Sequence, residues 1–138
     1  MCGVKSTDTV NVPTVLVVED DPDTREMERF ALQCTGFDVE VAPNGRAALQ
    51  VLEEVHPCVI LLDLMMPVMD GLEFLKTRQA EPSWATIPVL CVSAAVPSMM
   101  SEALRLGAEE CLQKPADVDV LCERVRALCN GDTRDASR

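Results

Sequence analysis

The chain has 138 residues, the length of one ordinary domain, and it leaves no room for a second catalytic or DNA-binding domain. Hydrophobic residues make up 48% and charged residues 25%, so the chain can bury a core and is not a disordered tail. Its formal net charge of -11 repels nucleic-acid phosphates and anionic lipid, which argues against direct binding to either.

From Thr14 onward, short apolar runs alternate with amphipathic stretches, which is the pattern of βα units built around a parallel sheet. Continuously apolar runs are typical of strands covered by helices on both faces, whereas weaker runs are expected at sheet edges. The strong runs are 15–18, 58–62 and 89–92, and the weak runs are 37–42 and 110–113. The sequence therefore predicts an α/β fold, a doubly wound five-stranded parallel sheet.

Residues at helical boundaries support the same alternation. Asp21 before Pro22 predicts a helix N-cap, and Asn44 and Ser98 are predicted N-caps of later helices. Gly36 and Gly107 are predicted helix stops. Trp84 is expected in the loop between the third helix and the fourth strand.

The first helix carries an apolar stripe at helical spacing, formed by Met27, Phe30, Ala31 and Cys34, and this stripe is predicted to face the core. Residues 13–130 are predicted to form the domain, between flexible ends at 1–12 and 131–138.

The chain contains seven cysteines, an odd number, without a C-x-x-C pair and mostly within apolar stretches. We expect reduced core thiols, and nothing near Cys111 in the sequence predicts a reactive one. The apolar runs are far shorter than the ~18–20 residues of a membrane helix, and the N-terminus lacks a signal-peptide pattern. These features predict a cytoplasmic protein.

Polar residues stand where the predicted strands end, at the edge where open parallel sheets place their reactive groups. Glu19 and Asp20 follow the first strand and Asp63 the third, while Ser93 ends the fourth and Lys114 follows the fifth. Several carboxylates at one edge repel one another unless a cation lies among them, and their hard oxygen atoms favour Mg²⁺, or Mn²⁺ in its place.

An acidic metal pocket beside a lysine and a hydroxyl suits phosphoryl chemistry. Asp63 is the predicted nucleophile because it follows the most apolar strand and so holds a central, rigid position. Lys114 offers a point charge that reaches both a carboxylate and a phosphoryl oxygen, and the Ser93 hydroxyl offers a hydrogen bond to that oxygen.

Four motifs, in this order, resemble the receiver domain of response regulators in two-component signalling. They are VVEDDP at 17–22, LLDLMMPVMDG at 61–71, VSA at 92–94, and the segment that begins with Gly107-Ala108 and ends with Lys114-Pro115. The resemblance spans residues 14–129. It implies a flavodoxin-like fold that takes a phosphoryl group from a phosphohistidine onto one aspartate with Mg²⁺.

The resemblance also implies roles for individual residues. Asp63 would be the phosphoacceptor and also a metal ligand, Asp20 a direct metal ligand and Glu19 a ligand acting through water. The backbone carbonyl of Met65 would complete the protein's share of the coordination.

The same resemblance makes Ser93 the switch hydroxyl and Lys114 the family lysine, with a cis peptide bond between Lys114 and Pro115. One position departs from the family, because Cys111 stands where a Tyr or Phe usually swings inward. We therefore predict a small change on the face formed by the helix after the fourth strand, the fifth strand and the last helix, centred on the loop after Ser93.

Two further positions tune hydrolysis of the phosphorylated aspartate in the family, and here they hold Met65 and Ala95. Both side chains are apolar and cannot orient a hydrolytic water, so a long-lived phosphorylated state is predicted.

The leading hypothesis is a stand-alone phospho-acceptor, not an enzyme beyond its own phosphorylation and dephosphorylation, which acts as an adaptor or as a relay carrier. Its partners would be a histidine kinase or histidine phosphotransfer protein and an unidentified downstream protein. Three alternatives stay open: a receiver segment of a hybrid kinase or multidomain regulator, a metal-dependent phosphatase, and a non-phosphorylated pseudo-receiver. The phosphatase would need a substrate-covering cap, and the pseudo-receiver would lack part of the acid, hydroxyl and lysine set.

Overall fold

A computed structural model of the protein describes residues 12–131. Its five strands form one parallel sheet in the order β2-β1-β3-β4-β5, so both weaker runs lie at edges as predicted. The predicted flexible ends, 1–12 and 131–138, lie outside the described residues except for 12 and 131. The strands are β1 (Thr14–Val18), β2 (Asp38–Ala42), β3 (Val59–Leu62), β4 (Val89–Ser93) and β5 (Glu110–Gln113).

Six helices accompany the strands within the described residues, and the last of them follows β5. They are α1 (Pro22–Cys34), α2 (Gly45–Leu52), α3 (Gly71–Ala80), α4 (Pro82–Ala85), α5 (Pro97–Arg105) and α6 (Val118–Cys129). Buried residues of α2, α3 and α5 pack on one face of the sheet, and those of α1 and α6 pack on the other. The fold is therefore the predicted doubly wound sheet, and none of the described helices is long and apolar enough to cross a membrane.

Two predicted helix caps are confirmed and one is wrong. Asp21 Oδ2 accepts a hydrogen bond from the Thr24 backbone N–H at 2.8 Å, and Asn44 caps α2 in the same way. Ser98 does not cap α5, because the helix already begins at Pro97, whose fixed φ favours the first helical position. Trp84 lies in the short helix α4 and not in a loop.

The predicted core stripe of α1 is also wrong. Met27 is 44% and Phe30 57% exposed, whereas Glu28 and Leu32 are the buried residues of this helix. Glu28 and Leu32 are four residues apart, so they share one helix face. The helix packs the face of Glu28 and Leu32 on the sheet. Met27 and Phe30 instead line the groove between α1 and α6.

The prediction of reduced cysteines is wrong in part, because among the described residues Cys91, Cys111 and Cys122 are free thiols as predicted but others are disulfide-bonded. Cys58 and Cys129 form a disulfide with a Cα–Cα distance of 4.9 Å, and Cys34 is also disulfide-bonded. Cys58 precedes β3, and α6 runs back across the sheet, so its last residue reaches the amino ends of the strands. The two cysteines are 71 residues apart in sequence, a separation that carries no local signal.

Candidate functional site

The polar strand ends come together at the carboxyl edge of the sheet. β1 and β3 are paired so that Val18 lies opposite Leu62, which brings the residues that follow them side by side. Oxygen atoms of the Glu19, Asp20 and Asp63 carboxylates all lie within 4.8 Å of one another. Glu19 is only 2% and Asp63 only 6% exposed, so this acidic cluster is closed on most sides by protein.

Lys114 neutralises part of this charge. Its Nζ donates to Glu19 Oε1 at 2.9 Å and lies 3.6 Å from Asp63 Oδ2. Burial raises the pKa of the Glu19 carboxyl, and the hydrogen bond from Lys114 only partly offsets it. Burial works against the charged form of Lys114, but its contacts with Glu19 and Asp63 outweigh that effect and raise the pKa of Lys114.

The donor set of this cluster fits a small divalent cation. Carboxylate oxygens are the ligands that Mg²⁺ prefers, and oxygens sharing one octahedral ion lie roughly 3–4 Å apart. The 4.8 Å limit on the separations among Glu19, Asp20 and Asp63 is close to that spacing. The turn that carries the first two is braced by Arg25, whose Nη1 donates to the Glu19 carbonyl oxygen at 2.9 Å.

The loop after β3 places Asp63 through close backbone contacts. A Cβ at Gly71 would lie 2.6 Å from the Asp63 carbonyl oxygen, so only glycine allows this approach. The Met69 N–H donates to the Pro67 carbonyl at 2.8 Å across Val68, whose φ is 71°. This γ-turn is a strained conformation for a β-branched residue, and it folds the loop back towards Gly71.

The other predicted site residues differ in solvent exposure, because Met65 is exposed whereas Ser93 and Ala95 are buried. The Met65 N–H donates to Asp63 Oδ1 at 3.3 Å, and the Met65 side chain is 54% exposed beside the site. Ser93 is fully buried, and its Oγ accepts a hydrogen bond from the buried Ala95 N–H at 3.2 Å. Of the two predicted tuning residues, only Met65 thus presents its side chain to solvent.

A backbone hydrogen bond connects Lys114, which follows β5, to Ser93 at the end of β4. The Lys114 N–H donates to the Ser93 carbonyl oxygen at 3.0 Å, and the Lys114–Pro115 peptide bond is cis. Cys111 lies earlier on this strand, and its Sγ contacts the Met100 carbonyl oxygen of α5 at 3.6 Å. The position taken by Cys111 is therefore packed against α5 and not against the acids.

Sequence reasoning missed one residue beside the site, Glu28 of α1. Its side chain is 3% exposed and lines a cavity of about 400 Å³ together with Lys114. Burial, with a smaller contribution from the Glu19 charge, raises the pKa of Glu28 to about 8. The available signal was its spacing of four residues from the apolar Leu32.

Relatives of known sequence show the same kind of domain. The chain is 39% identical to an uncharacterized 14.6 kDa protein from Leptolyngbya boryana over 88% of this chain and 94% of that protein. It is 38% identical to the response regulator MprA of Mycolicibacterium vanbaalenii over 88% of this chain. It spans 52% of MprA and 23% of the Escherichia coli regulatory protein AtoC, so it matches only part of these regulators.

Solved structures with the same architecture include two of particular use. The chemotaxis response regulator CheY4 of Vibrio cholerae is 31% identical, with a TM-score of 0.79 over 86% of this chain and 99% of that one. The receiver domain of a histidine kinase from Syntrophus aciditrophicus is 32% identical, with a TM-score of 0.81 over 92% and 97%. The sequence model of the response regulator receiver domain matches residues 15–126. The chain therefore belongs to the response regulator receiver domain family.

Proposed function

We propose that this chain is a phospho-acceptor that takes a phosphoryl group from a phosphohistidine onto Asp63 with Mg²⁺, or Mn²⁺ in its place. The donor is a histidine kinase or a histidine phosphotransfer protein, and the product alters contacts with a downstream protein. The supporting observation is the buried cluster of Glu19, Asp20 and Asp63 with Lys114 at its rim. We assign this activity to residues 13–130.

The reaction needs one nucleophile and one group that meets the phosphoryl oxygens. A carboxylate oxygen of Asp63 attacks phosphorus, the N–P bond of the donor breaks, and its electron pair returns to the imidazole nitrogen. Lys114 is 3.6 Å from Asp63 Oδ2, close enough to pair with a phosphoryl oxygen on that side chain. Glu19, Asp20, Asp63 and the Met65 carbonyl would hold Mg²⁺, which when bound would neutralise charge on the phosphoryl oxygens.

The output of the switch starts at Ser93. Its buried hydroxyl accepts a hydrogen bond from the Ala95 N–H, which leaves its own proton free to donate to a phosphoryl oxygen on Asp63. Cys111 stands where the family usually has an aromatic side chain. We therefore expect the conformational change to centre on the loop after Ser93 and to reach β5 and α6 only weakly.

The lifetime of the phosphorylated state depends on how water approaches Asp63. The exposed Met65 side chain and the buried methyl group of Ala95 offer no hydrogen bond to an attacking water. We expect Met65→Asn, which supplies an amide at the entrance, to shorten the half-life of phosphorylated Asp63 by about tenfold. Following loss of the phosphoryl group by mass spectrometry in Mg²⁺ buffer measures this, and an unchanged half-life would contradict it.

The direct test uses acetyl phosphate with Mg²⁺ and intact-mass spectrometry. We expect wild type to gain one phosphoryl group, and Asp63→Asn or added EDTA to prevent the gain. Asp70→Asn is the matched control, because Asp70 is a nearby acid that caps α3 and asparagine keeps the cap. A phosphoryl group that persists in Asp63→Asn would refute the assignment of the acceptor.

A wild-type protein that binds Mg²⁺ by calorimetry and yet takes no label, even from a phosphohistidine donor, would instead be a pseudo-receiver. A receiver segment of a larger regulator or hybrid kinase is the second candidate, favoured by the 52% coverage of MprA and by the histidine-kinase receiver among the structural neighbours.

We place the transfer in the cytoplasm, where ATP-dependent kinases supply phosphohistidine. The Cys58–Cys129 disulfide is a feature more typical of oxidising compartments. Alkylating thiols at the moment of lysis and mapping Cys58 and Cys129 tests this bond in the cell, where we expect the pair to be oxidised as in the structure.

A further inference from the structure

Two free cysteines face each other across neighbouring strands. Cys91 of β4 and Cys111 of β5 are directly paired in the parallel register. Paired residues of neighbouring strands lie about 4.8 Å apart, within the roughly 4.4–6.8 Å between Cα atoms that a disulfide spans. Both side chains belong to the face of the sheet that packs against α5. The backbone therefore already holds the two sulfur atoms as neighbours.

The two thiols differ in access to solvent. Cys91 is fully buried, whereas Cys111 is half-buried and lines a surface groove with Leu104 and Leu112. β5 is an edge strand, so it has a neighbour on one side only and can shift more easily than a central strand. A small oxidant from solution thus meets Cys111 first, and Cys91 lies behind it.

The two thiols also differ in acidity. A hydrogen bond from Cys91 stabilises the thiolate of its neighbour and lowers the pKa of Cys111. The same contact, together with burial, raises the pKa of Cys91. The accessible sulfur is the better nucleophile and the buried one stays a thiol, which is the division of roles found in a reactive and a resolving cysteine.

We propose that Cys111 is an oxidation site for hydrogen peroxide and that Cys91 is its resolving thiol. The Cys111 thiolate attacks one peroxide oxygen, the O–O bond breaks, and hydroxide leaves, which yields the sulfenic acid. The Cys91 sulfur then attacks the Cys111 sulfur and displaces the hydroxyl group, which leaves with the Cys91 proton as water. In total two thiols and one peroxide give one disulfide and two waters.

This bond would join β5 to β4 next to the proposed switch. Cys91 lies two residues before Ser93, and Cys111 lies three residues before Lys114. The oxidation chemistry itself does not depend on phosphoryl transfer, because neither sulfur takes part in it. The bond would restrain the edge strand at the position where the family usually has a mobile aromatic residue.

The test treats the full chain, with its native disulfides kept, with hydrogen peroxide in EDTA. After thiols are blocked with N-ethylmaleimide, peptide mapping should show a Cys91–Cys111 crosslink and an intact mass lower by about 2 Da before blocking. Asp63→Asn should form it as readily as wild type, which separates this result from the proposed phosphoryl transfer. Peroxide-treated wild type in which both cysteines still react fully with N-ethylmaleimide under denaturing conditions would overturn the proposal.

Variants separate the two roles. In Cys91→Ala the sulfenic acid should persist on Cys111 and be trapped by dimedone, with labelling at least about tenfold above that of Cys122. Cys122 is the matched control because it is also a free, partly exposed thiol, and Cys122→Ser should leave the crosslink unchanged. If Cys91→Ala does not fold, dimedone added to wild type early in the peroxide reaction should trap the Cys111 sulfenic acid before the disulfide forms. Equal labelling of Cys111 and Cys122 would contradict the assignment.

Discussion

The carboxyl edge of the sheet, where the parallel strands end, and the amino edge, where they begin, differ in how their buried charged groups are paired. At the carboxyl edge, Glu19 and Asp63 share a single ammonium group from Lys114, so negative charge is left over. At the amino edge, the buried guanidinium of Arg78 donates to the carbonyl oxygens of Ala85 and Ile87. At the amino edge the buried polar groups form hydrogen bonds with one another, which stabilises the fold. At the carboxyl edge the carboxylates are only partly neutralised and can bind a ligand.

The largest expected effect is the loss of stability when the Arg78 hydrogen bonds at the amino edge are removed. Arg78→Met keeps the apolar stem but leaves the carbonyls of Ala85 and Ile87 without their donor, so we expect a loss of about 3 kcal/mol of unfolding free energy. Urea denaturation measures it. Lys76→Met, an exposed position on the same helix, is the control and should change stability by less than about 0.5 kcal/mol. A similar loss in both variants would refute a special role for Arg78.

A second prediction concerns the buried acid of the carboxyl edge. The pKa of Glu28 is raised to about 8 from an ordinary value of 4.5, so the folded state holds its proton more tightly than the unfolded state does. Stability from this group is complete below about pH 4.5 and is lost as the pH rises through about 8. Glu28→Gln should remove this loss, which makes the variant more stable than wild type by about 2 kcal/mol already at about pH 6.

Denaturation in EDTA at several pH values checks this difference, which should nearly vanish at about pH 4. Glu26→Gln is the matched control, since Glu26 is an exposed acid on the same helix. A stability gain for Glu28→Gln that is equal at all pH values would contradict the prediction.

The smallest expected effect concerns metal affinity. Lys114 Nζ donates a hydrogen bond to Glu19 Oε1 at 2.9 Å, so it competes with a cation for that carboxylate. Lys114→Met frees Glu19 and removes a positive charge, and we expect Mg²⁺ to bind about threefold more tightly. Calorimetry at fixed ionic strength measures the affinity, with Lys76→Met as the control. Weaker Mg²⁺ binding in Lys114→Met would show that the lysine organises the cluster instead of competing for it.

Much of this architecture follows from the sequence, because the rules concerned are local. Buried parallel strands require continuous apolar runs, and strand ends in an open sheet converge, so Glu19, Asp63 and Lys114 could be placed together before the structure was known. The inward face of α1 could not be predicted. Hydrophobicity favoured Met27 and Phe30, but the fold buries Glu28 instead.

Long-range pairings also escaped prediction. Cys58 and Cys129 meet only because α6 returns across the sheet, and Cys91 meets Cys111 only because β4 and β5 are neighbours in a particular register. Neither pairing has a sequence spacing that distinguishes it from the other possible pairs of seven cysteines.

The Cys58–Cys129 disulfide closes a covalent ring around the second half of the domain. Constraining a loop of this length in the unfolded chain stabilises the fold by about 4 kcal/mol in the chain-entropy account. Asp63, Ser93 and Lys114 all lie within the ring, whereas Glu19 and Asp20 lie outside it. A single backbone cut between residues 58 and 129 would therefore leave the phosphoacceptor and the lysine on one covalently joined molecule until the disulfide is reduced.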